Sequence, residues 1–242
     1  MTGTLTFDLS AVRAITFDAG GTLLTPHPSV GEVYAEVLRE NRIIRNPLEL
    51  ESAFQLAFSS VSKNPTVLDP EEREKDFWRQ VFRETMTKQP IPSSRFDDVF
   101  IDMWNAFSHA TRWKALAGSH QILRALRDLG YWIGVLSNWD HRLHSVLDEA
   151  GFSDLVESVV ISVDVGVEKP DSGIFRAVEA ISGMPPGACL HIGDSRHHDL
   201  AGAEDAGWFG ILIRNDGGPI NPPSIGRLAD LTEILSGPPA PT

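Results

Sequence analysis

Four short motifs in this chain place polar side chains directly after apolar runs that resemble strands. The first follows Ala14-Ile15-Thr16-Phe17, a β-prone run that ends at Asp18 and is broken by the pair Gly20-Gly21. A carboxylate at a strand end, before a glycine turn, can attack an electrophile and then be released by hydrolysis. Because Asp and Gly are also common turn formers, this motif alone fits either a nucleophile or a simple β-turn.

The second and third motifs offer groups that suit an anion. In Val135-Leu136-Ser137-Asn138 a hydroxyl and exposed backbone N–H groups suit phosphate oxygens, although the same residues could cap the next helix. In the third motif, Lys169 stands just before Pro170-Asp171 and a predicted helix. A lysine held there can neutralise charge on a nucleophile and on a transferring phosphoryl group. A solvated surface lysine is the alternative.

The fourth motif is the most specific local string in the chain. It begins at His191-Ile192-Gly193 and places two acidic residues, Asp194 and Asp199, five apart across a predicted turn from strand to helix. Hard oxygen ligands of this kind suit Mg²⁺, which uses few carboxylates and keeps several waters. A capped helix is the alternative.

A pattern of alternating strands and helices after residue 117 positions these motifs. Such alternation predicts an α/β fold, with a doubly wound, Rossmann-like parallel sheet. In such a sheet ligands bind outside the carboxyl ends of the strands, so the four motifs are expected to converge. We predict later strands at Tyr131–Leu136, Val159–Val163, Ala188–Ile192 and Phe209–Ile213, and helices at Gln121–Leu129, Arg142–Ala150, Ser172–Ile181, Asp199–Ala206 and Leu228–Leu235.

The stretch from residue 29 to 111 has a different pattern. Its apolar residues recur at helical spacing, as in Val30, Val33, Tyr34, Val37 and Leu38. We interpret it as an insert of about four helices without a strand. The predicted organisation is therefore an α/β core domain, 1–28 and 112–242, and a helical cap domain, 29–111, that moves on hinges near 26–29 and 111–115.

Composition narrows the class of function. The chain has 242 residues with a formal charge of −12 and 42% hydrophobic residues, the balance of a globular protein. It has no basic cluster that would suit nucleic acid or an anionic membrane. It also lacks an apolar run of about 18 residues. We expect no signal peptide, because residues 1–10 show no basic region followed by an apolar run. We expect a cytoplasmic protein that binds a small anionic molecule and neither nucleic acid nor membrane; no pattern predicts an oligomeric state.

Taken together and in this order, the four motifs resemble the haloacid dehalogenase (HAD) superfamily of hydrolases. The resemblance runs from Ala14 to about Leu235, and the insert matches that superfamily's helical cap of the first type. Three strings resemble the subgroup that includes the HAD-like hydrolase domain-containing protein 3 and the rhythmically expressed proteins. They begin at Gly31, Leu136 and Glu168.

The resemblance implies a Mg²⁺ site made of oxygen ligands. Asp18 would be both the nucleophile and a metal ligand, and the backbone carbonyl of Gly20 would be a second ligand. Asp194 would be the third ligand from the protein. Asp199 would bind the metal directly or support the residues that do.

The resemblance also implies a phosphatase that works through an aspartyl-phosphate intermediate on a small phosphorylated metabolite. Ser137 and Asn138 would hold the transferring group. Lys169 would bridge Asp18 and the substrate.

One position departs from the superfamily's usual phosphatases, which carry a second Asp two residues after the nucleophile as proton donor. Gly20 stands there, so acid–base catalysis is expected to be weaker by about 10²–10⁴-fold, least for good leaving groups. His27 could replace the donor or could be a plain linker residue. Trp139 could form an apolar wall at the site or serve packing alone. A positive φ at Gly20 would make an Asp there cost about 1–2 kcal/mol.

Three other functions stay open at this stage. The protein could be a nearly inactive member that binds a ligand or a partner protein. It could be a phosphonatase-type hydrolase that uses a cap lysine, among Lys63, Lys75 and Lys88, although each also fits a solvated helix residue. A dehalogenase that attacks carbon would need no metal and would not keep the Gly193-Asp194 pattern.

Overall fold

The computed structural model describes residues 9–214 and 223–235. The sequence also predicts a Gly/Pro loop at 215–223 and a frayed end at 237–242. Both segments lie outside the described residues, except for Pro223. The chain divides into two compact units. The first comprises the described residues of Met1–Thr25, Ala115–Trp139 and Gly151–Thr242, and the second comprises Pro26–Lys114 and Asp140–Ala150.

The first unit is built on a six-stranded sheet, in which every pair of neighbouring strands is parallel. The predicted Rossmann-like α/β fold is therefore confirmed. Most strands are buried apolar runs, as expected for a parallel sheet covered on both faces. The strands among the described residues are β1 Ala14–Phe17, β2 Leu24–Pro26, β3 Trp113–Ala115, β4 Trp132–Ser137, β5 Ser158–Ile161, β6 Cys189–Gly193, β7 Phe209–Ile213 and β8 Ser224–Ile225. The order in the six-stranded sheet is β5-β4-β1-β6-β7-β8.

Helices connect the strands of this sheet. Three predictions differ from the structure here. The helix predicted at Leu228–Leu235 is a 3₁₀ helix at Leu228–Asp230 followed by a short α-helix at Leu231–Ile234. The strand predicted to reach Val163 ends at Ile161, because Ser162–Val165 turns into a short helix. The helix predicted from Asp199 is a π-helix at Arg196–Ala201 followed by a short α-helix. In the described parts of the chain, the α-helices outside the insert are α5 Ser119–Asp128, α6 Arg142–Glu149, α7 Ser162–Val165, α8 Ser172–Ser182, α9 Gly202–Asp205 and α10 Leu231–Ile234.

The predicted insert forms four helices: α1 Val30–Glu40, α2 Pro47–Ser60, α3 Pro70–Thr85 and α4 Ser93–Ala106. Both α2 and α3 begin with a proline, whose fixed φ suits the first helical turn. Asn46 and Asp69 precede these prolines, and their side chains accept hydrogen bonds from backbone N–H groups of the first turn.

The second unit has an aromatic core around Tyr34. The Tyr34 ring meets Phe54, Phe82 and Phe107 edge to face, at centroid distances of 5.8, 5.7 and 6.1 Å. This unit also takes in α6, which lies outside the predicted insert. That 29–111 acts as a cap stays a prediction.

Two further findings concern both units. The short pairing of β2 with β3 was not predicted. None of the helices in the described part of the chain combines the length and the apolar composition that a bilayer crossing needs.

Candidate active site

The central position of β1 decides where Asp18 lies. On one side Phe17 pairs with Val135 of β4, and on the other it pairs with Ile192 of β6. The backbone N–H of Asp18 donates to the carbonyl of Ile192 at 2.8 Å. Asp18 therefore stands at the carboxyl edge of the sheet, between the ends of the strands that carry the second and fourth motifs.

Lys169 joins two of the carboxylates at this edge. Its Nζ donates to Asp18 Oδ1 at 2.8 Å, to Asp199 Oδ1 at 2.6 Å and to the carbonyl of Leu136 at 2.9 Å. The side chain is only 2% exposed. Burial alone would lower the pKa of Lys169, but the negative charges of Asp18 and Asp199 outweigh it and raise that pKa. Lys169 is therefore a buried cation beside the predicted nucleophile.

The two residues of the second motif contact different partners. Ser137 Oγ donates to Asp18 Oδ1 at 2.8 Å. Asn138 instead binds the backbone of Lys169: its Nδ2 donates to the carbonyl at 2.9 Å, and its Oδ1 accepts from the N–H at 2.7 Å. Asn138 therefore fixes the segment that carries Lys169. A contact of Ser137 and Asn138 with the transferring group stays a prediction.

Three carboxylates meet beside the end of β1. Oxygens of Asp18, Asp194 and Asp199 all lie within 4.8 Å of one another. Asp194 is the member exposed to solvent. Partial loss of hydration, followed by the charges of Asp18 and Asp199, raises the pKa of its carboxylate to about 7. A cluster of hard oxygen donors that repel one another fits a divalent cation.

Asp199 is the most enclosed of the three. Its Oδ1 meets Lys169 Nζ and, at 3.0 Å, His191 Nε2, while Oδ2 accepts from the backbone N–H of Ser195 at 2.8 Å. Burial would raise its pKa, but the nearby charge of Lys169 and the bond to His191 lower it instead. These donors already use both oxygens of Asp199. The carboxylates of Asp18 and Asp194 are therefore more open to a further ligand.

The two glycines after Asp18 have different backbone constraints. Gly21 has a φ of +78°, and a Cβ there would lie 2.2 Å from Asp194 Oδ2, so only glycine lets that carboxylate approach. Gly20 is not among the residues with positive φ, so the suggested strain at this position is wrong. A Cβ on Gly20 would lie 3.3 Å from Cζ3 of Trp139, which places the indole against the first motif.

A family model described as haloacid dehalogenase-like hydrolase matches residues 12–207. The chain belongs to that family. The match spans all four motifs and confirms the resemblance found in the sequence.

Two curated relatives agree with the expected subgroup. Mouse haloacid dehalogenase-like hydrolase domain-containing protein 3 is 29% identical over 84% of this chain and 82% of its own. The Drosophila melanogaster rhythmically expressed gene 2 protein is 28% identical over 85% of this chain and 84% of its own.

Solved structures of this hydrolase family share the fold. The putative HAD-hydrolase YfnB from Bacillus subtilis, bound to magnesium, aligns with a TM-score of 0.75 and 17% identity over 93% of this chain and 98% of its own. The defluorinating L-2-haloacid dehalogenase Rha0230 aligns with a TM-score of 0.73 and 16% identity over 97% of this chain and 100% of its own. At such identities the likeness shows the fold alone, and the chemistry must be argued from the site.

Sequence reasoning missed two residues at the site of this HAD-like hydrolase, Thr16 and His191. Both are buried, and Thr16 Oγ1 lies 2.9 Å from His191 Nδ1. Alternation along β1 and β6 could have placed each on the face that carries Asp18, but nothing local predicts their pairing. Burial, followed by the charge of Lys169, lowers the pKa of His191.

The alternative groups named from the sequence lie in the second unit of this hydrolase. Lys63 forms an ion pair with the buried Glu74. Lys75 Nζ lies 5.9 Å from the ring centroid of Trp104. His27 is exposed, and its backbone N–H donates to the carbonyl of Arg112 at 2.8 Å. Roles for the cap lysines in a Schiff base, or for His27 as proton donor, stay predictions.

Proposed function

We propose that this protein is a Mg²⁺-dependent phosphatase that hydrolyses a small phosphorylated metabolite through an aspartyl-phosphate on Asp18. The observation that carries the proposal is the double contact at Asp18 Oδ1, which accepts from Lys169 Nζ and Ser137 Oγ, each at 2.8 Å. These contacts orient a carboxylate at the open end of a sheet, beside a buried cation. That arrangement suits attack on an electrophile that carries negative charge.

The acidic cluster supports a metal at the same place. Asp18, the backbone carbonyl of Gly20 and Asp194 would hold Mg²⁺, with Asp199 binding it directly or supporting Lys169. When bound, the cation balances charge on the phosphoryl group and orients it. A metal-independent dehalogenase is disfavoured, because nothing in attack on carbon requires three carboxylates within 4.8 Å of one another.

The chain's own residues divide the reaction into two steps. A carboxylate oxygen of Asp18 attacks phosphorus, and the bond from phosphorus to the leaving-group oxygen breaks. Lys169 and Ser137 then hold the phosphoryl oxygens while a water attacks phosphorus. The bond to Asp18 breaks, inorganic phosphate leaves and the proton of the water passes to solvent.

Because residue 20 is a glycine, the first step is expected to be slower for poor leaving groups than for good ones. An alkoxide leaving group needs a proton as its bond breaks, and Gly20 has no side chain to supply one. General acid catalysis contributes about 10²–10⁴-fold, so alkyl phosphates are expected to react slowly. Aryl and acyl phosphates, whose leaving groups are stable as anions, are expected to be the better substrates.

A screen of phosphorylated metabolites, with p-nitrophenyl phosphate and acetyl phosphate as chemical probes, tests the proposal. We expect phosphate release with Mg²⁺, none with excess EDTA, and none from Asp18→Asn at any metal concentration. Halide release from 2-haloacids in EDTA would show a dehalogenase instead.

A ligand-binding function without turnover is the second candidate. It is favoured by Trp139, whose Cζ3 would lie 3.3 Å from a Cβ on residue 20, so that the indole ring crowds a side chain at that position. Calorimetric binding of Mg²⁺ and inorganic phosphate, with no turnover of any probe, would establish it in place of the phosphatase.

A further inference from the structure

His191 is a buried histidine that the proposed reaction does not use. It lies on β6, is 1% exposed, and pairs in register with Thr16 of β1. The Phe175 ring meets the imidazole edge to face, with centroids 5.8 Å apart. The imidazole is therefore buried beside Asp199 of the acidic cluster, and the contact with Phe175 is apolar packing alone.

The partners of the two ring nitrogens assign the imidazole proton. Nε2 lies 3.0 Å from Asp199 Oδ1 and 3.4 Å from Lys169 Nζ. The Lys169 ammonium already donates to Asp18, Asp199 and the Leu136 carbonyl at 2.6–2.9 Å, so its three hydrogens have closer partners. Because a carboxylate can only accept, Nε2 carries the hydrogen that lies between it and Asp199. Nδ1 lies 2.9 Å from Thr16 Oγ1, and a hydroxyl can donate to it. Thr16 thus holds the tautomer that donates to Asp199.

The hydrogen bond from His191 ends on the same oxygen that Lys169 contacts. Asp199 Oδ1 accepts from His191 Nε2 and also from Lys169 Nζ at 2.6 Å, while Lys169 Nζ reaches Asp18 at 2.8 Å. Lys169 is therefore shared between two carboxylates. A second donor on Asp199 takes up part of its negative charge and weakens its pull on the ammonium.

We propose that His191 is a positioning residue: its Nε2–H, set by Thr16, fixes Asp199 so that Lys169 stays in contact with Asp18. The chain of contacts runs from Thr16 through His191, Asp199 and Lys169 to Asp18, and every member is buried. Partners that orient site residues in this way contribute about 10–100-fold to activity or metal affinity. The kinetic part of this inference rests on the proposed phosphatase function.

Three variants test it. His191→Leu removes the donor, His191→Gln supplies an amide N–H that can replace it, and Phe175→Leu disturbs packing on the same ring without touching a polar contact. With p-nitrophenyl phosphate and Mg²⁺, we expect His191→Leu to lower kcat by about 10–100-fold with little change in KM. We expect His191→Gln to recover most of the loss and Phe175→Leu to keep the wild-type kcat.

Two NMR measurements judge the inference without any turnover. Long-range proton–nitrogen spectra of the wild type should show His191 protonated at Nε2. The Lys169 ammonium signal should shift in His191→Leu but not in Phe175→Leu. Thermal denaturation of each variant checks folding. If His191→Leu is unfolded, Thr16→Val takes its place, and we expect it to lower kcat and shift the Lys169 signal in the same direction.

The possible outcomes separate this inference from the proposed function. The inference would be overturned if Nε2 of His191 carries no hydrogen in the wild type. It would also be overturned if folded His191→Leu keeps both the wild-type Lys169 signal and the wild-type kcat. If the wild type turns over no phosphate ester at all, the proposed function fails, and the two NMR results still decide the role of His191.

Discussion

The indole ring of Trp139 lies so close to Gly20 that a Cβ atom on residue 20 would be 3.3 Å from its Cζ3. Such a contact is tighter than van der Waals packing normally allows, so the ring would have to move by a few tenths of an ångström. The backbone at Gly20 does not have the positive φ that would make a side chain costly. Space, and not backbone strain, therefore limits what residue 20 can be.

The first prediction concerns Gly20→Asp. An Asp there would restore a proton donor for the leaving group, but only if Trp139 moves aside. We expect Gly20→Asp to raise kcat/KM for alkyl phosphates more than for aryl phosphates, by up to about 10²-fold. The double variant Gly20→Asp/Trp139→Phe should exceed it, because the smaller ring leaves room. Steady-state kinetics on both substrate classes measure the effect.

Gly20→Asn is the matched control, since it fills the same space without an acidic proton. An equal gain in Gly20→Asn would show that packing and not proton donation is responsible. If the wild type already hydrolyses alkyl phosphates quickly, His27→Ala tests whether His27 is the donor. An unchanged rate in that variant would exclude His27.

The second prediction compares two glycines with positive φ. Gly21 has φ +78° and Gly183 has φ +71°, but only at Gly21 would a Cβ meet a neighbour, the Asp194 carboxylate. Gly183→Ala should cost about 1–2 kcal/mol of folding stability from backbone strain alone. Gly21→Ala should cost more and should also displace Asp194, so that Mg²⁺ binding is lost. Chemical denaturation and calorimetric Mg²⁺ titration of both variants check this, and equal Mg²⁺ affinities would contradict it.

The third prediction concerns Asp194→Asn and the metal. One charge at about 4 Å is worth several kcal/mol even at an effective dielectric of about 20, so the variant should bind Mg²⁺ more than about tenfold more weakly. Calorimetric titration at pH 8 measures this affinity. Unchanged affinity would remove Asp194 from the proposed ligands.

The fourth prediction is that Asp194→Asn stabilises the metal-free protein, although the same variant weakens Mg²⁺ binding. Because folding raises the pKa of Asp194 to about 7, the ionised carboxylate opposes folding, and stability falls as pH rises from about 4 to 7. At pH 8 in EDTA, Asp194→Asn should be more stable than the wild type by about 1 kcal/mol, after allowance for solvent screening of this exposed residue. The difference should vanish below about pH 4. A variant less stable at pH 8 would show that Asp194 does not repel its neighbours.

The fifth prediction concerns Asn138, which binds both backbone polar groups of Lys169. Asn138→Ala leaves those groups without their partner, which costs about 1–3 kcal/mol each when buried and less where water reaches them. We expect lower stability together with a kcat lowered by about 10–100-fold, because Lys169 loses its fixed position. Ser162→Ala is the control, since Ser162 Oγ bonds to the backbone of Trp139 on the same loop. An equal loss of kcat in the control would point to the loop as a whole.

Much of the architecture could be predicted because it depends on local patterns. The strand before Asp18, the Gly-Asp-Ser string at Asp194 and the helical spacing of the insert are each contained in a few consecutive residues. The rule that parallel strands bind ligands at their carboxyl ends then predicts that the motifs meet. The structure brings Asp18, Ser137, Lys169, Asp194 and Asp199 together in this way.

Other features could be found only in the tertiary structure, because they depend on contacts between residues that lie far apart in the sequence. Thr16 meets His191 across 175 positions, and only the placement of β6 beside β1 puts them in register. Asn138 reaches Lys169 across 31 positions. The sequence by itself therefore determined which groups stand at the strand ends. Which of them bind one another was decided by strand order and register, since side-chain hydrogen bonds require contact at about 3 Å and a local pattern carries no information on that distance.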